Sequence, residues 1–335
     1  MPITLGFICE RGLDQINYIL AGHYLDENEI GTIAISATIM VMLMFYPIVG
    51  LLLFSQNNMT KFYSSKQYDM FQKTFNRLAG IMFYINCFTG VILFFSSPIL
   101  QFFGITEEIA QMSQNYIRVA IIGNFFNYQR YSMKIICTST LNPGLAAYFL
   151  PIVIIAQILQ GYVYLHLFNF GYMALAYASC VSYLIGALIQ YLIIKTHRDT
   201  KQFDYDLSLM GPKDCWDTFI QYKFVWAMKL IGQQPQVLAQ VFSSAFSSTA
   251  TAAVGIVNVA VYLNIILGQG TSVSQSVFIS KAIAQKDTFR AKRWSIIIFT
   301  IFVSLSALLA LCVSIFSTTF IGLMTTNPNI QAEAE

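Results

Sequence analysis

Only 10% of the 335 residues are charged, against roughly 25% in soluble domains. That shortage excludes an ordinary solvated globular surface. The six cysteines (Cys9, Cys87, Cys137, Cys180, Cys215 and Cys312) stand far apart, with no CxxC pair and no His/Cys cluster. Neither a disulfide framework nor a zinc site is expected from them. Nucleophile elbows, phosphate loops and metal-ligand spacings are missing too, so the sequence offers no support for enzyme chemistry or for a nucleic-acid partner. No cleavable signal peptide is expected, because Glu10, Arg11 and Asp14 interrupt the first apolar run. Between Asp217 and Asp287 there is not one Asp or Glu.

What the chain has is apolar length. Hydrophobic residues make up 56% of it and aromatic residues 15%. They fall in runs of about 20, each enough for a helix across a hydrocarbon core about 30 Å thick. The fold class is therefore an all-α polytopic membrane protein. Spans are expected at residues 1–22, 32–56, 78–102, 114–138, 143–167, 171–195, 218–243, 250–280 and 294–320. Charges weaken the first of these, and Lys229 with several glutamines weakens the seventh.

Charge alternates along the connections. Asp26, Glu27 and Glu29 follow the first span; Lys61, Lys66, Lys73 and Arg77 follow the second; Glu107 and Glu108 follow the third. Lys195, Arg198, Lys201 and Lys213 precede the seventh span, and Lys281, Lys286, Arg290, Lys292 and Arg293 follow the eighth. Basic loops stay on the cytoplasmic side, so the Met1 side is expected to be cytoplasmic. The polar linker 201–217, broken by Gly211-Pro212, divides an N-lobe of six spans (1–200) from a partial C-lobe of three (218–335).

The chain also repeats itself. Gly50, Lys61 and Lys66 recur 220 residues on as Gly270, Lys281 and Lys286, and Phe103-Gly104-Ile105-Thr106 is answered by Ile321-Gly322-Leu323-Met324. Six spans before the second copy make the copies parallel repeats, a symmetry of secondary transporters.

Six stretches fall in the order and spacing of one family. They are Ala21-Gly22-His23 with Asp26-Glu27; Gly50 to Gln67; and Phe103-Gly104-Ile105 with Glu107-Glu108 and Tyr116-Ile117-Arg118. The others are Gly171 to Ala176 with Ser182-Tyr183; Gly270 to Asp287 with the basic residues after it; and Thr326-Asn327-Pro328. Together they resemble the eukaryotic-type multidrug and toxic compound extrusion (MATE) family. The resemblance implies a two-lobe helical bundle, here with about nine transmembrane helices, six plus three, and without the family's last three. It also implies cation-coupled antiport. The aspartate that bacterial members carry in the first helix falls on Asn17, and an Asp of the family's first-copy loop falls on Gln56. The acids of the eukaryotic seventh and eighth helices are missing.

An ionisable residue at membrane depth costs about 2.5–3.5 kcal/mol on insertion scales. Asp14 and Asn17 share one face of the first helix, with Glu10 a turn back. These three are the ion-coupling candidates, although the stronger reading of the acids is that Glu10 or Asp14 pairs with Arg11 or another helix, or that the first span sits partly at the interface. The substrate-cavity candidates are Gln56, Asn127, Tyr128, Gln157, Gln233, Gln234 and Asn258. Rings and amides suit a drug-like cation, while amides at depth more often bond between helices. Arg130 and Lys134 are expected to snorkel to the cytoplasmic face, and Pro47, Pro151 and Pro235 to kink their helices.

The expected function is efflux of organic cations or xenobiotics by antiport with protons or sodium, with no other cofactor. The partners are the lipid bilayer and the small organic substrate, in the plasma membrane or a vacuolar or other endomembrane. The alternative is a truncated or degenerate homologue without transport, acting as a structural or partner-binding membrane protein. Loss of the second-lobe acids favours the alternative.

Overall fold

The computed structural model describes residues 13, 15–140, 143–203 and 246–334, with scattered residues between 213 and 243. More than half of the seventh expected span, Gln233, Gln234 and Pro235 included, lies outside the described residues, as do Glu10 and Asp14. Among the described residues there are helices, turns and loops but no strand.

Helix α1 (residues 15–24) turns at Asp26 into α2 (Glu27–Met40). The Asp26 carboxylate accepts from the Glu29 backbone N–H at 2.8 Å, and Glu29 reaches back to the Asp26 N–H at 3.4 Å. This capping box satisfies donors that the helix start leaves open. A π-helical turn, Val41–Phe45, leads into α3 (Tyr46–Ser64), so the expected span 32–56 lies within one continuous helical rod. Then come α4 (Tyr68–Phe94), the short α5 (Ser96–Phe102), α6 (Glu107–Ser139), α7 (Leu150–His166) and α8 (Met173–Thr196). The second part has α9 (Ser248–Ala284), α10 (Thr288–Ile315), α11 (Ser317–Met324) and α12 (Pro328–Ala334).

Six described helical stretches are long and apolar enough to cross a membrane: Glu27–Phe45, Tyr68–Phe94, Gly144–His166, Met173–Thr196, Ser248–Ala284 and Thr288–Ile315. Helix α6, the expected fourth span, has 33 residues, ample for a crossing at 1.5 Å per residue. Arg118, Arg130 and Lys134 make it more polar than those six. Pro151 stands in the first turn of α7, where a missing N–H is harmless, so it starts that helix and does not kink it. Pro47 likewise sits in the first turn of α3, directly after the π-helical turn.

Helix α6 packs on α2, α4 and, most extensively, α8, while α9 lies against α2, α3 and α10. The α2–α9 crossing depends on small residues. A Cβ on Gly255 would stand 3.0 Å from the Ala34 Cβ, and one on Gly31 3.6 Å from the Ser248 carbonyl oxygen. Where no water drives helices together, such close approach supplies the packing. Helix α10 is the opposite case: strongly apolar yet almost unburied, it is suited to face lipid.

The repeat is visible in the backbone. Lys66 and Lys286 both adopt left-handed conformations, with φ of 59° and 57°. Each ends its helix with the same pair of bonds, Lys66 N–H to Tyr63 O and Gln67 N–H to Phe62 O, matched by Lys286 to Ile283 and Asp287 to Ala282. Asp26 caps α2 as Ser247 caps α9, and Phe95 breaks α4 from α5 as Phe316 breaks α10 from α11. The expected pairing of Gly104 with Gly322 does not hold, because Gly104 ends a helix at φ 86° whereas Gly322 lies inside α11. Register is therefore carried by caps and turns, which the backbone requires, and not by glycines as such.

Candidate functional site

A cavity between α1, α2, α6 and α8 holds about 870 Å³ of atom-free space, the solvent at its mouth included. Helix α1 contributes Gln15, Asn17 and Tyr18, and the α2–α3 rod contributes Met40, Val41 and Phe45. Tyr116, Asn124, Asn127 and Tyr128 come from α6, Ser179, Cys180 and Tyr183 from α8, and Tyr262 reaches in from α9. Among the described lining residues there are five tyrosines and several amides but no carboxylate. Such a wall offers ring faces and amide oxygens to a cationic guest.

The structure brings Asn17 and Gln157 together. The Asn17 amide donates to the Ser179 hydroxyl at 2.8 Å, and the Gln157 amide donates to Asn17 Oδ1 at 3.0 Å and to the Leu13 carbonyl at 2.7 Å. Gln157 is fully buried behind Asn17 and does not line the cavity, contrary to the sequence expectation. Its Oε1 has no hydrogen-bond partner among the described residues. The pair fixes α1 against α7 and α8.

Asn127 and Tyr128 do line the cavity. Asn127 Oδ1 accepts from Arg130 at 2.7 Å. Arg130 is 1% and Lys134 6% exposed, so neither snorkels out of the bundle. Both cations lie near the Tyr131 ring, at 4.9 and 5.8 Å from its centroid. Helix α6 turns them inward, where it packs on α2, α3, α4 and α8, and only Lys134 reaches a cavity.

Gln56 lines a different, smaller cavity between α3, α6 and α9, with Phe45, Val49, Tyr131, Lys134, Gln269 and Val273. Asn258 lines neither. It donates to Gln240 Oε1 at 3.0 Å, and Gln240 donates to the Thr251 carbonyl at 2.8 Å. That amide is thus committed to holding its own neighbourhood together. Asp14, Glu10, Gln233 and Gln234 lie outside the described residues.

The helix ends near Glu27, called here the acidic end, are closed by a second set of bonds. Glu27 accepts from the Thr249 hydroxyl at 2.6 Å and from the Asn327 and Asn329 amides at 3.1 and 3.2 Å. The Gly22 carbonyl accepts from the Thr325 hydroxyl at 2.9 Å and the Thr326 N–H at 3.3 Å. A Cβ on Gly22 would overlap the Met324 carbonyl. Two motifs some 300 residues apart, around Gly22 and around Asn327, are therefore one contact. Alongside it, Glu29 accepts from the Tyr172 N–H at 3.2 Å. Burial raises the Tyr172 phenol above its ordinary pKa, and the Glu29 charge adds to that against an Asn115 hydrogen bond.

Sequence reasoning missed Tyr18, Tyr116, Tyr183 and Tyr262 as lining residues. Their spacing along four helices carries no local signal, since in a chain so rich in aromatics only packing selects which rings meet.

The long apolar helices define the class, an integral membrane protein, and the family comparison defines its kind, a transporter. The MatE family model matches residues 2–163 and 233–335, most of the chain, and the protein belongs to that family of membrane efflux transporters. Such transporters bind small organic substrates within the membrane. Among solved structures, the eukaryotic MATE transporter AtDTX14 is similar at a TM-score of 0.79 and 13% identity, over 99% of this chain and 75% of that one. VcmN of Vibrio cholerae, in its bent form, is similar at 0.72 and 16%, over 99% and 75%. A MOP superfamily transporter of Pyrococcus furiosus gives 0.71 and 14%, over 99% and 75%. No curated protein matches the sequence.

Proposed function

We propose that the protein exports small organic cations by alternating access, in exchange for protons or sodium. The observation that carries this reading is the tyrosine- and amide-lined cavity, which spans α1, α2, α6 and α8 and is completed by Tyr262 of α9. Ring faces attract organic cations, by about 2 kcal/mol or more once desolvated. Two lobes, residues 1–200 and 218–335 joined by the linker 201–217, rock about this cavity. The basic loops mark the cytoplasmic side, in the plasma membrane or an endomembrane. The Glu27 contact then closes the outer face. With no carboxylate among the described lining residues, coupling falls to Asp14, three residues before Asn17. The Pyrococcus furiosus relative is described as having a binding pocket of reverse polarity that suggests a different function, so substrate charge is the property to test first.

The experiment is efflux of ethidium or tetraethylammonium from vesicles holding the purified chain, driven by a pH or sodium gradient. Gradient-dependent movement that Asp14→Asn abolishes is the expected result. A folded protein that moves neither cation under either gradient overturns the reading and leaves a non-transporting membrane protein.

A further inference from the structure

Between the capping residue and the left-handed lysine, the first repeat holds one residue more than the second. Forty residues separate Asp26 from Lys66, and thirty-nine separate Ser247 from Lys286, although both pairs mark the same helix start and the same left-handed turn. The surplus appears as the π-helical turn Val41–Phe45, for which α9 has no counterpart. A helix absorbs an extra residue by widening one turn to i→i+5 bonding, and such turns are frequent at functional sites.

The widened turn ends at Phe45, and Phe45 is the one described residue that lines both cavities. The α2–α3 rod, α6 and α9 pass along the two cavities in the same direction. On α6 the lining moves from Asn127 and Tyr128 to Tyr131 and Lys134, and on α9 from Tyr262 to Gln269. The cavities are therefore successive, and the Phe45 and Tyr131 rings, 6.1 Å apart between centroids, meet at their junction. Tyr131 is held from its own helix by the Tyr128 ring at 6.4 Å and the Arg130 guanidinium at 4.9 Å. Its partner Phe45 sits on the backbone best able to shift by one hydrogen-bond register.

We infer that Phe45 and Tyr131 form an aromatic constriction between the two cavities, set by the inserted residue, that decides by size which solutes pass. The inference rests on the transport reading for its purpose but not for its test. Cys180, half-buried, lines the larger cavity on the far side of the ring pair from Gln56 and supplies a native reporter. The purified chain in vesicles is treated with a small and a bulky methanethiosulfonate reagent, and peptide mass spectrometry reads the modification rate at Cys180 alone. Phe45→Ala should speed labelling several-fold, more for the bulky reagent, and Phe45→Trp should slow it. The lipid-exposed Phe88→Ala should leave it unchanged. Should Phe45→Ala fail to fold, Phe45→Leu and Phe45→Trp bracket the native ring from either side. Cys180 rates independent of ring size at position 45, in folded protein, overturn the constriction. Ring-dependent labelling without efflux would instead retain the constriction and remove the transport reading.

Discussion

Glu27 and Asn327 share a 3.1 Å hydrogen bond across almost the full length of the chain. The same carboxylate accepts from Thr249 and Asn329, so one side chain at the start of α2 holds both the start of α9 and the loop before α12. A helix N-terminus favours that negative charge. The closed acidic end depends on this residue more than on any other polar group described there.

Glu27→Ala should therefore loosen the acidic end. Three donors lose their acceptor, a loss of about 1–2 kcal/mol of closed-state preference after allowing for partial solvation. Spin labels at Glu108→Cys and Thr318→Cys, both on that end, should show a longer distance population in the variant. Identical distance distributions would mean that apolar packing alone keeps the end shut.

Asn17→Leu tests the buried amide network. It removes the acceptor for one Gln157 bond and the donor to Ser179, at a cost of about 1–3 kcal/mol. The melting temperature in detergent should fall, and a double-mutant cycle with Ser179→Ala should be strongly non-additive. Additive losses would show the two residues acting separately.

The α2–α9 crossing has a sharp steric prediction. Gly255→Leu forces bulk against Ala34 and Tyr18 and should destabilise by about 1–3 kcal/mol. Gly80→Ala, with nothing within 4 Å of the new Cβ, should instead gain up to about 1 kcal/mol from helix propensity. Thermal melts of the two variants should move in opposite directions.

The repeated turn predicts a matched pair of effects. Lys66 and Lys286 sit at positive φ, which costs a residue with a Cβ roughly 1–2 kcal/mol. Lys66→Gly and Lys286→Gly should each raise stability by a similar amount, at most about 1 kcal/mol once the unfolded-state entropy of glycine is counted. Unequal shifts would show that the turns are alike in backbone but not in surroundings.

Much of the architecture was legible beforehand because it follows local rules. Apolar runs mark helices, and the motifs around Gly22, Lys66 and Asn327 carry the family, whereas the caps Asp26 and Ser247 emerge only from the structure. The site was less legible. Asn17, Asn127 and Tyr128 stand in the cavity wall, but Gln157 and Asn258 are held by neighbouring polar groups, and Gln56 faces a second cavity. An amide has the same composition in a wall as in a clamp. Arg130 was misread for the same reason: a cation near a span end usually reaches water, and only the helices packed around α6 deny it that route.

By itself the sequence determined a polytopic helical membrane protein of the MatE family, repeated within the chain, because helix length, charge alternation and turn chemistry are set by neighbours along the backbone. Tertiary structure alone decided that Glu27 meets Asn327, that Arg130 is buried, and that five tyrosines from four helices and the α2–α9 crossing enclose one cavity. It also decided that the surplus residue between Asp26 and Lys66 widens the turn at Phe45. Those outcomes depend on how helices far apart in the chain are placed side by side, and no local pattern encodes a distance between them.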